Sequence, residues 1–329
     1  MRKLVFAVAV LLLVWAALVV PMPLAVTEAS PAIAVPEVIE LDDGLPSELP
    51  EELHITVVRL EPATVATATR VLVVGDRELT LLPGLVPPDV DQERFEEFQR
   101  ELFRESIRAA VAVGLDAAGM DVTVDGDGAR ILATLPGTPG AEAFEEGDVI
   151  IAVDDTEVAL ASELVAVLGD RVAGEQVEIT VLRDGQELTR ALELVPLDTG
   201  TDVGQVGLGV LVTTVDLRID APVEARAVED RQIGGPSAGL VFALGAYDAA
   251  TEESLGGGRV IAGTGAIDLD GNVGPVEAVA AKVRGALLVD AEVFLVPEAL
   301  LDIAEAAAPP ELEVIGVATL QDAIAALGH

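Results

Sequence analysis

The chain has 329 residues, enough for about two domains, and 51% of them are hydrophobic, which excludes disorder over most of its length. Its 57 acidic and 19 basic residues give a formal net charge of −38 at pH 7, which excludes a basic nucleic-acid-binding surface. The chain contains no cysteine and two histidines, so no cysteine nucleophile or cysteine-ligated metal is expected. No G-x-x-x-x-G-K-S/T string occurs, so we expect no P-loop ATPase.

The chain opens with an apolar stretch that is typical of a membrane anchor. Arg2 and Lys3 precede 17 uncharged residues, Leu4 to Val20, which is close to the lower length limit of a bilayer-spanning helix. We expect residues 1–25 to form an uncleaved signal anchor, and a cleaved signal peptide is the alternative. Basic flanks stay in the cytoplasm, so the body is expected outside, tethered to the cell membrane by a single span.

The next two segments differ in composition. Residues 26–52 are rich in Pro, Glu and Asp and predict an acidic, solvated linker. Residues 53–118 contain two apolar runs, 54–60 and 69–75, which predict strands, and then apolar residues at helical spacing over 91–118, which predict a helix.

Residues 119–197 consist of short β-rich runs separated by Gly, Pro and Asp turns. The string PGTPG at 136–140, a short acidic helix and the string GDVIIAVDD at 147–155 resemble a bacterial PDZ domain. The resemblance implies a mostly-β domain that adds an extended peptide to a sheet edge. The peptide-binding residues that it implies are Gly128, Ala129, Arg130 and Ile131. A PDZ fold that serves only as a spacer is the alternative.

Lysine usage singles out one side chain in the remaining segment. Of the 19 basic residues 17 are Arg, and the two lysines are Lys3 and Lys282. Arg cannot release its proton near neutral pH, whereas Lys can if its pKa is lowered. Lys282, the only lysine of the predicted folded body, is therefore a candidate general base. The alternative is that Lys282 is a surface residue that has been retained by chance.

A second candidate lies in a turn that leads into an apolar helical run. Ser237 is surrounded by small and turn-forming residues, and free backbone N–H groups at such a turn can hold an oxyanion. The turn residues expected to contribute are Gly235, Pro236, Ala238 and Gly239. An ordinary helix cap is the alternative for this serine.

Three motifs in this order resemble the proteolytic domain of Lon-type serine peptidases over about Val206 to Leu327. They are GGPSAG around Ser237, AGTGAIDLDGNVG around Thr264, and Lys282, which is 18 residues after that threonine. The resemblance implies that Ser237 is the nucleophile, that Lys282 is its general base and that Thr264 helps to hold the lysine. Glu277-Ala278 stands where the family usually has Gly-Gly.

The expected architecture combines an α/β (α+β) Lon-type proteolytic domain at 198–329 with the mostly-β PDZ domain, preceded by one transmembrane helix. Residues 53–118 are expected to pack with the peptidase body, so that the PDZ domain is an insertion. The combination resembles the membrane-anchored, PDZ-containing Lon-like peptidases of Gram-positive bacteria. It implies an ATP-independent endopeptidase with no cofactor or metal, acting on extracytoplasmic or membrane-associated proteins or peptides. The resemblance alone suggests a hexameric ring. A catalytically inactive, PDZ-bearing scaffold or holdase is the alternative.

Overall fold

A computed structural model describes residues 18, 20–74, 78–81, 92–169, 171–198, 203–228, 233–251 and 254–328. The chain divides into two compact units, of which the first is Met1–Asp121 with Ala221–His329 and the second is Val122–Asp220. The second unit is therefore an insertion in the sequence of the first. It extends beyond residue 197, where the sequence placed the end of the PDZ domain.

The elements that precede the second unit are, in chain order, β1 (Pro21–Ala29), β2 (Ile33–Ala34), β3 (Ile39–Leu41), β4 (Leu53–Ile55), β5 (Val58–Thr64), α1 (Val65–Val74), β6 (Glu78–Leu81) and α2 (Gln92–Ala117). Those of the second unit are β7 (Thr123–Asp125), β8 (Ala129–Thr134), α3 (Pro139–Ala143), β9 (Val149–Val153), β10 (Thr156–Glu157), α4 (Ala161–Gly169), β11 (Gln176–Arg183), β12 (Gln186–Glu193), β13 (Val195–Asp198), β14 (Val203–Gly207), β15 (Val210–Thr214) and β16 (Arg218–Asp220). The chain then returns to the first unit with β17 (Ala225–Ala227), α5 (Gly239–Ala250), β18 (Ile261–Gly263), β19 (Ala266–Ile267), β20 (Val273–Gly274), α6 (Val279–Leu287), β21 (Val293–Pro297), α7 (Leu301–Ala307), β22 (Glu313–Val317) and α8 (Leu320–Leu327).

The first unit is built on a five-stranded sheet in the order β2-β4-β18-β21-β22. Its strands are parallel except for the antiparallel edge strand β2. Every residue of β21 is buried, as is typical of a central parallel strand. Helix α5 is apolar on nearly all sides and buried, and Phe242 on this helix meets Phe103 of α2 edge to face at 5.8 Å. The turn that begins α5 is therefore attached to a rigid core.

A smaller antiparallel sheet, β5-β1-β6, carries helix α1 on one face. Val71 of α1 packs against Val26 and Ala63 of this sheet. The strand predicted at 69–75 is thus wrong for residues 69–74, which belong to the helix. The cause is visible in the burial pattern: Ala68 and Val71, three residues apart, point inward, which is helical rather than strand periodicity.

The structure differs from the predicted N-terminal anchor and linker in the residues that it describes. Residues 1–17 and 19 of the predicted anchor lie outside the described residues, and residues 21–25 belong to β1. Among the described residues, no helix is both long and apolar enough to cross a bilayer. The linker predicted at 26–52 is wrong in part, because Val35, Val38 and Ile39 are buried in the first unit and β3 pairs with β17. Their apolar side chains point inward between the prolines and acids that dominated the composition.

The second unit is an antiparallel sheet in the order β12-β11-β9-β8-β15, with β10 added on β9. Its core holds Ile131, Ile150 and Ile179. Beside the core, Arg183 binds the buried carboxylate of Asp148 through two hydrogen bonds, from Nε at 2.8 Å and Nη2 at 2.7 Å. The guanidinium holds the pKa of Asp148 below its usual range, so that this ion pair stays charged.

Candidate active site

The turn before α5 presents Ser237 at the start of a buried helix. Gly235 has a φ of +83°, a left-handed conformation that favours glycine. The carbonyl of Pro236 accepts the Gly239 N–H at 3.2 Å and closes the turn. A Cβ on Gly239 would lie 2.9 Å from Cγ2 of Ile267, so glycine also allows α5 to approach that residue closely. The small residues around the serine therefore serve the backbone geometry of the turn.

Three hydrogen bonds join this turn to the segment after β18. The Ser237 carbonyl accepts from the Thr264 hydroxyl at 3.0 Å and from the Gly265 N–H at 2.9 Å. The Leu240 N–H donates in return to the Gly265 carbonyl at 3.0 Å. Thr264 is fully buried, and its side chain is thereby fixed against the backbone of the predicted nucleophile.

Lys282 completes the cluster from α6. Its Nζ donates a hydrogen bond to Oγ1 of Thr264 at 2.8 Å, and the lysine is only 3% exposed. Burial lowers the pKa of Lys282 from 10.5 to about 8, and the negative charge of Glu277 partly opposes this shift. A substantial fraction of the amine is therefore neutral near pH 8. The Lys282 amine bonds to Thr264, and Thr264 bonds to the Ser237 carbonyl. The three residues therefore form one hydrogen-bonded chain.

The hydroxyl of Ser237 does not hydrogen-bond to Lys282. Within the described part of the chain it has no hydrogen-bond partner, and Thr264 connects the two residues through the serine carbonyl. Bonds between nucleophile and base are often longer or poorly aligned before substrate is bound. The structure thus brings Thr264 and Lys282 together directly and Ser237 through its backbone.

Two backbone donors at the turn are unused. The N–H groups of Ser237 and Ala238 donate to no acceptor among the residues that the structure describes, whereas the N–H of Gly239 is engaged with Pro236. Pro236 has no N–H group. Of the predicted turn residues, Ala238 therefore offers a donor for an oxyanion beside the N–H of Ser237 itself.

The residue before α6 has an unfavourable backbone conformation. Ala278, the residue before the helix, has φ +58° and ψ 37°, a left-handed conformation that is unfavourable for alanine. Its carbonyl accepts the Lys282 N–H at 3.0 Å. The strained residue thus begins the turn of helix that carries the lysine, and Glu277, whose charge raises the lysine pKa, directly precedes it.

A contact between α6 and the segment that follows β1 is not visible in the sequence. A Cβ on Gly285 of α6 would lie 2.4 Å from the Ser30 carbonyl oxygen, and the Ala32 N–H donates to the Gly285 carbonyl at 3.2 Å. Ala32 also belongs to the same core cluster as Val283 of the lysine helix. The supposed linker therefore helps to hold the helix that carries Lys282, and the small residue at 285 is the only signal in the sequence.

In the second unit, the predicted peptide-binding residues cannot accept an added strand. Ala129, Arg130 and Ile131 lie on β8, which pairs with β15 on one side and with β9 on the other. Both backbone groups of Gly128 are also used, since its N–H donates to Ala159 and its carbonyl accepts from Val215. The prediction is wrong because strand order is not visible in a local sequence pattern.

The sheet has two edge strands, β12 and β15, and β15 lies beside β8. Strand β15 begins at the last residue of the string Gly207-Leu208-Gly209-Val210, an alternation of glycine and hydrophobic residues that the prediction overlooked. Gly209 has a φ of +76°, and the N–H groups of Leu208 and Gly209 donate to no acceptor in the described ranges. An unpaired strand edge with a glycine loop at its beginning is suited to bind an extended peptide and its terminal carboxylate.

Comparison with known proteins bears on the second unit. A family model described as PDZ domain matches residues 117–194. No curated protein matches the chain significantly.

Solved structures that match include the PDZ domain of an SdrC-like protein from Listeria monocytogenes, at 20% identity over 26% of this chain and 87% of that one, with a TM-score of 0.24. The PDZ domain of an SdrC-like protein from Listeria innocua matches at 22% identity over 26% and 93%, with a TM-score of 0.24. A protein of Geobacillus thermodenitrificans matches at 30% identity over 26% and 95%, with a TM-score of 0.23. The predicted PDZ domain is confirmed by the family match: this chain contains a PDZ domain at residues 117–194.

Proposed function

We propose that the protein is an ATP-independent serine endopeptidase that uses a Ser237/Lys282 dyad. The observation that supports the proposal most is the buried amine of Lys282, bonded to Thr264, which in turn holds the backbone of Ser237. A cation buried without an acidic partner is unfavourable. Burial of a lysine despite this cost is typical of a lysine that works as a neutral base.

In the proposed mechanism, one N–H of the neutral amine stays bonded to Thr264. The lone pair then accepts the proton of the Ser237 hydroxyl. The serine oxygen attacks the peptide carbonyl, and the N–H groups of Ser237 and Ala238 bind the resulting oxyanion. The protonated lysine returns its proton to the leaving amine. Water, activated by the same lysine, then hydrolyses the acyl-enzyme.

The PDZ domain supplies a proposed recognition function. A substrate with an extended C-terminus would add as a strand to the free edge of β15, and the N–H groups of Leu208 and Gly209 would bind its carboxylate. With the N-terminal apolar segment as membrane anchor, the proposed substrates are extracytoplasmic or membrane-associated proteins.

A peptidase assay on purified, folded variants tests the proposal. Ser237→Ala should abolish cleavage, and Lys282→Arg should reduce turnover on the order of 10³-fold or more, since a guanidinium keeps its proton. Thr264→Val should reduce it less, because the threonine orients the amine. Lys3→Arg is the matched control and should retain full activity. Wild-type turnover in Lys282→Arg would contradict the mechanism.

One observation favours a second candidate, an inactive PDZ-bearing scaffold or holdase. The Ser237 hydroxyl makes no hydrogen bond to Lys282 in the described structure. Under this alternative the chain would bind peptides through β15 and cleave none of them. Peptide binding that is unaffected by Ser237→Ala, together with no cleavage by the wild type, would favour it.

A further inference from the structure

Helix α1 of the first unit has apolar side chains on both of its faces. Ala68 and Val71 point into the small sheet, while four other apolar residues are exposed, two of them at 79% and 80%: Leu72, Val73, Val65 and Val74. We call these four exposed residues the outer face of α1. A helix that faces water normally presents charged residues there, yet Arg70 is the only charged residue of α1. The outer face is thus suited to an apolar environment.

Strand pairing places the start of α1 beside the end of the N-terminal apolar stretch. Pro21, the first residue of β1, pairs with Thr64, and Val65 begins the helix. The apolar stretch Leu4–Val20 ends immediately before Pro21. Paired strand residues lie about 5 Å apart. If that stretch crosses a bilayer, the start of α1 is therefore held close to the membrane surface.

The distribution of acidic residues agrees with this location. The chain has 57 acidic residues in 329, but residues 62–75 contain none. Anionic lipid headgroups repel acidic protein surfaces. An acid-free helix can approach such a surface where most of this protein cannot.

We propose that the outer face of α1 lies in the headgroup region of the bilayer, so that the body is attached by α1 as well as by its anchor. This inference rests on the membrane attachment in the proposed function. A second copy of the chain is a poorer occupant, because four side chains on a short helix fall well below the roughly 1,200 Å² that a stable interface buries.

The absence of cysteine from the chain makes the test direct. Leu72→Cys in the full-length chain is labelled with an environment-sensitive nitrobenzoxadiazole dye and reconstituted into phosphatidylcholine/phosphatidylglycerol vesicles. Ile303→Cys, at an exposed position on α7, is the matched control. We expect blue-shifted emission and at least about twofold stronger quenching by nitroxide-labelled lipids at position 72 than at position 303.

The outcomes separate the inference from the attachment on which it rests. Equal quenching at both positions, with the protein co-sedimenting with the vesicles, would overturn the inference and leave the anchor intact. A blue shift at position 72 that persists in detergent and grows with protein concentration would indicate a second copy and also overturn it. Failure to co-sediment would refute both the attachment and the inference.

Discussion

The lowered pKa of Lys282 allows the effect of this residue on the free energy of unfolding to be calculated. Burial lowers it from 10.5 to about 8, and each unit corresponds to about 1.4 kcal/mol, so the charged amine costs the fold about 3 kcal/mol. Well below pH 8 the lysine is protonated in both the folded and the unfolded state, and the fold carries this full cost. Between pH 8 and 10.5 the unfolded chain binds more protons than the folded one, so the free energy of unfolding rises with pH.

Replacing Lys282 with Met removes this cost and also the bond to Thr264, which contributes about 1 kcal/mol. We expect Lys282→Met to be about 2 kcal/mol more stable than the wild type at pH 7. Between pH 8 and 10.5, the rise in the free energy of unfolding that Lys282 causes should be absent from this variant. Few other groups titrate in this range, since the chain has no cysteine, one tyrosine and one further lysine.

Two measurements check this prediction. Selective ¹³Cε labelling of lysine gives two signals for the whole chain, and Lys3→Arg leaves only that of Lys282, whose titration should have a midpoint of about 8. Urea unfolding followed by circular dichroism at several pH values gives the stability of wild type and Lys282→Met. A midpoint near 10.5, or an equal rise in stability in both proteins, would refute the argument from burial.

Three further predictions follow from neighbouring residues. Glu277→Gln removes the charge that raises the Lys282 pKa, so the lysine titration and the rise of peptidase activity should move to lower pH; an unchanged profile would show that Glu277 does not influence the amine. Ala278→Gly relieves a left-handed alanine and should stabilise the first unit by about 1 kcal/mol in urea unfolding; destabilisation would contradict the strain. Asp148→Asn leaves Arg183 without its buried partner and should cost the second unit about 2–3 kcal/mol at pH 7. Because the pKa of Asp148 is lowered in the fold, the difference in stability between wild type and Asp148→Asn should be present above pH 4 and shrink as the pH falls further. A difference in stability that does not depend on pH would argue against the ion pair.

The sequence could predict features that depend on local motifs. The turn residues around Ser237 and the 18-residue spacing from Thr264 to Lys282 lie in short, recognisable strings. The structure brings that threonine and lysine within hydrogen-bond distance. The catalytic roles of the three residues stay predictions.

Features that depend on distant pairing could not be read from the sequence. Nothing local shows that β15 returns to cover β8, so the sequence could not show that residues 129–131 have strand partners on both sides. The segment after β1 reads as a linker because of its prolines and acids, and its role appears only when Ser30 meets Gly285 on the lysine helix. The valine-rich run at 69–75 favours a strand by propensity, but packing of Val71 on the small sheet selects a helix.

Labelling of Ser237 by a fluorophosphonate, located by mass spectrometry of the modified peptide, tests the central claim most directly. The account predicts modification of Ser237 in the wild type, at a rate that rises with pH with a midpoint of about 8, as Lys282 becomes neutral. It predicts none in Ser237→Ala and a rate lower by on the order of 10³ in Lys282→Arg. An unmodified Ser237 in the folded wild type, or an equal rate in Lys282→Arg, would contradict the dyad.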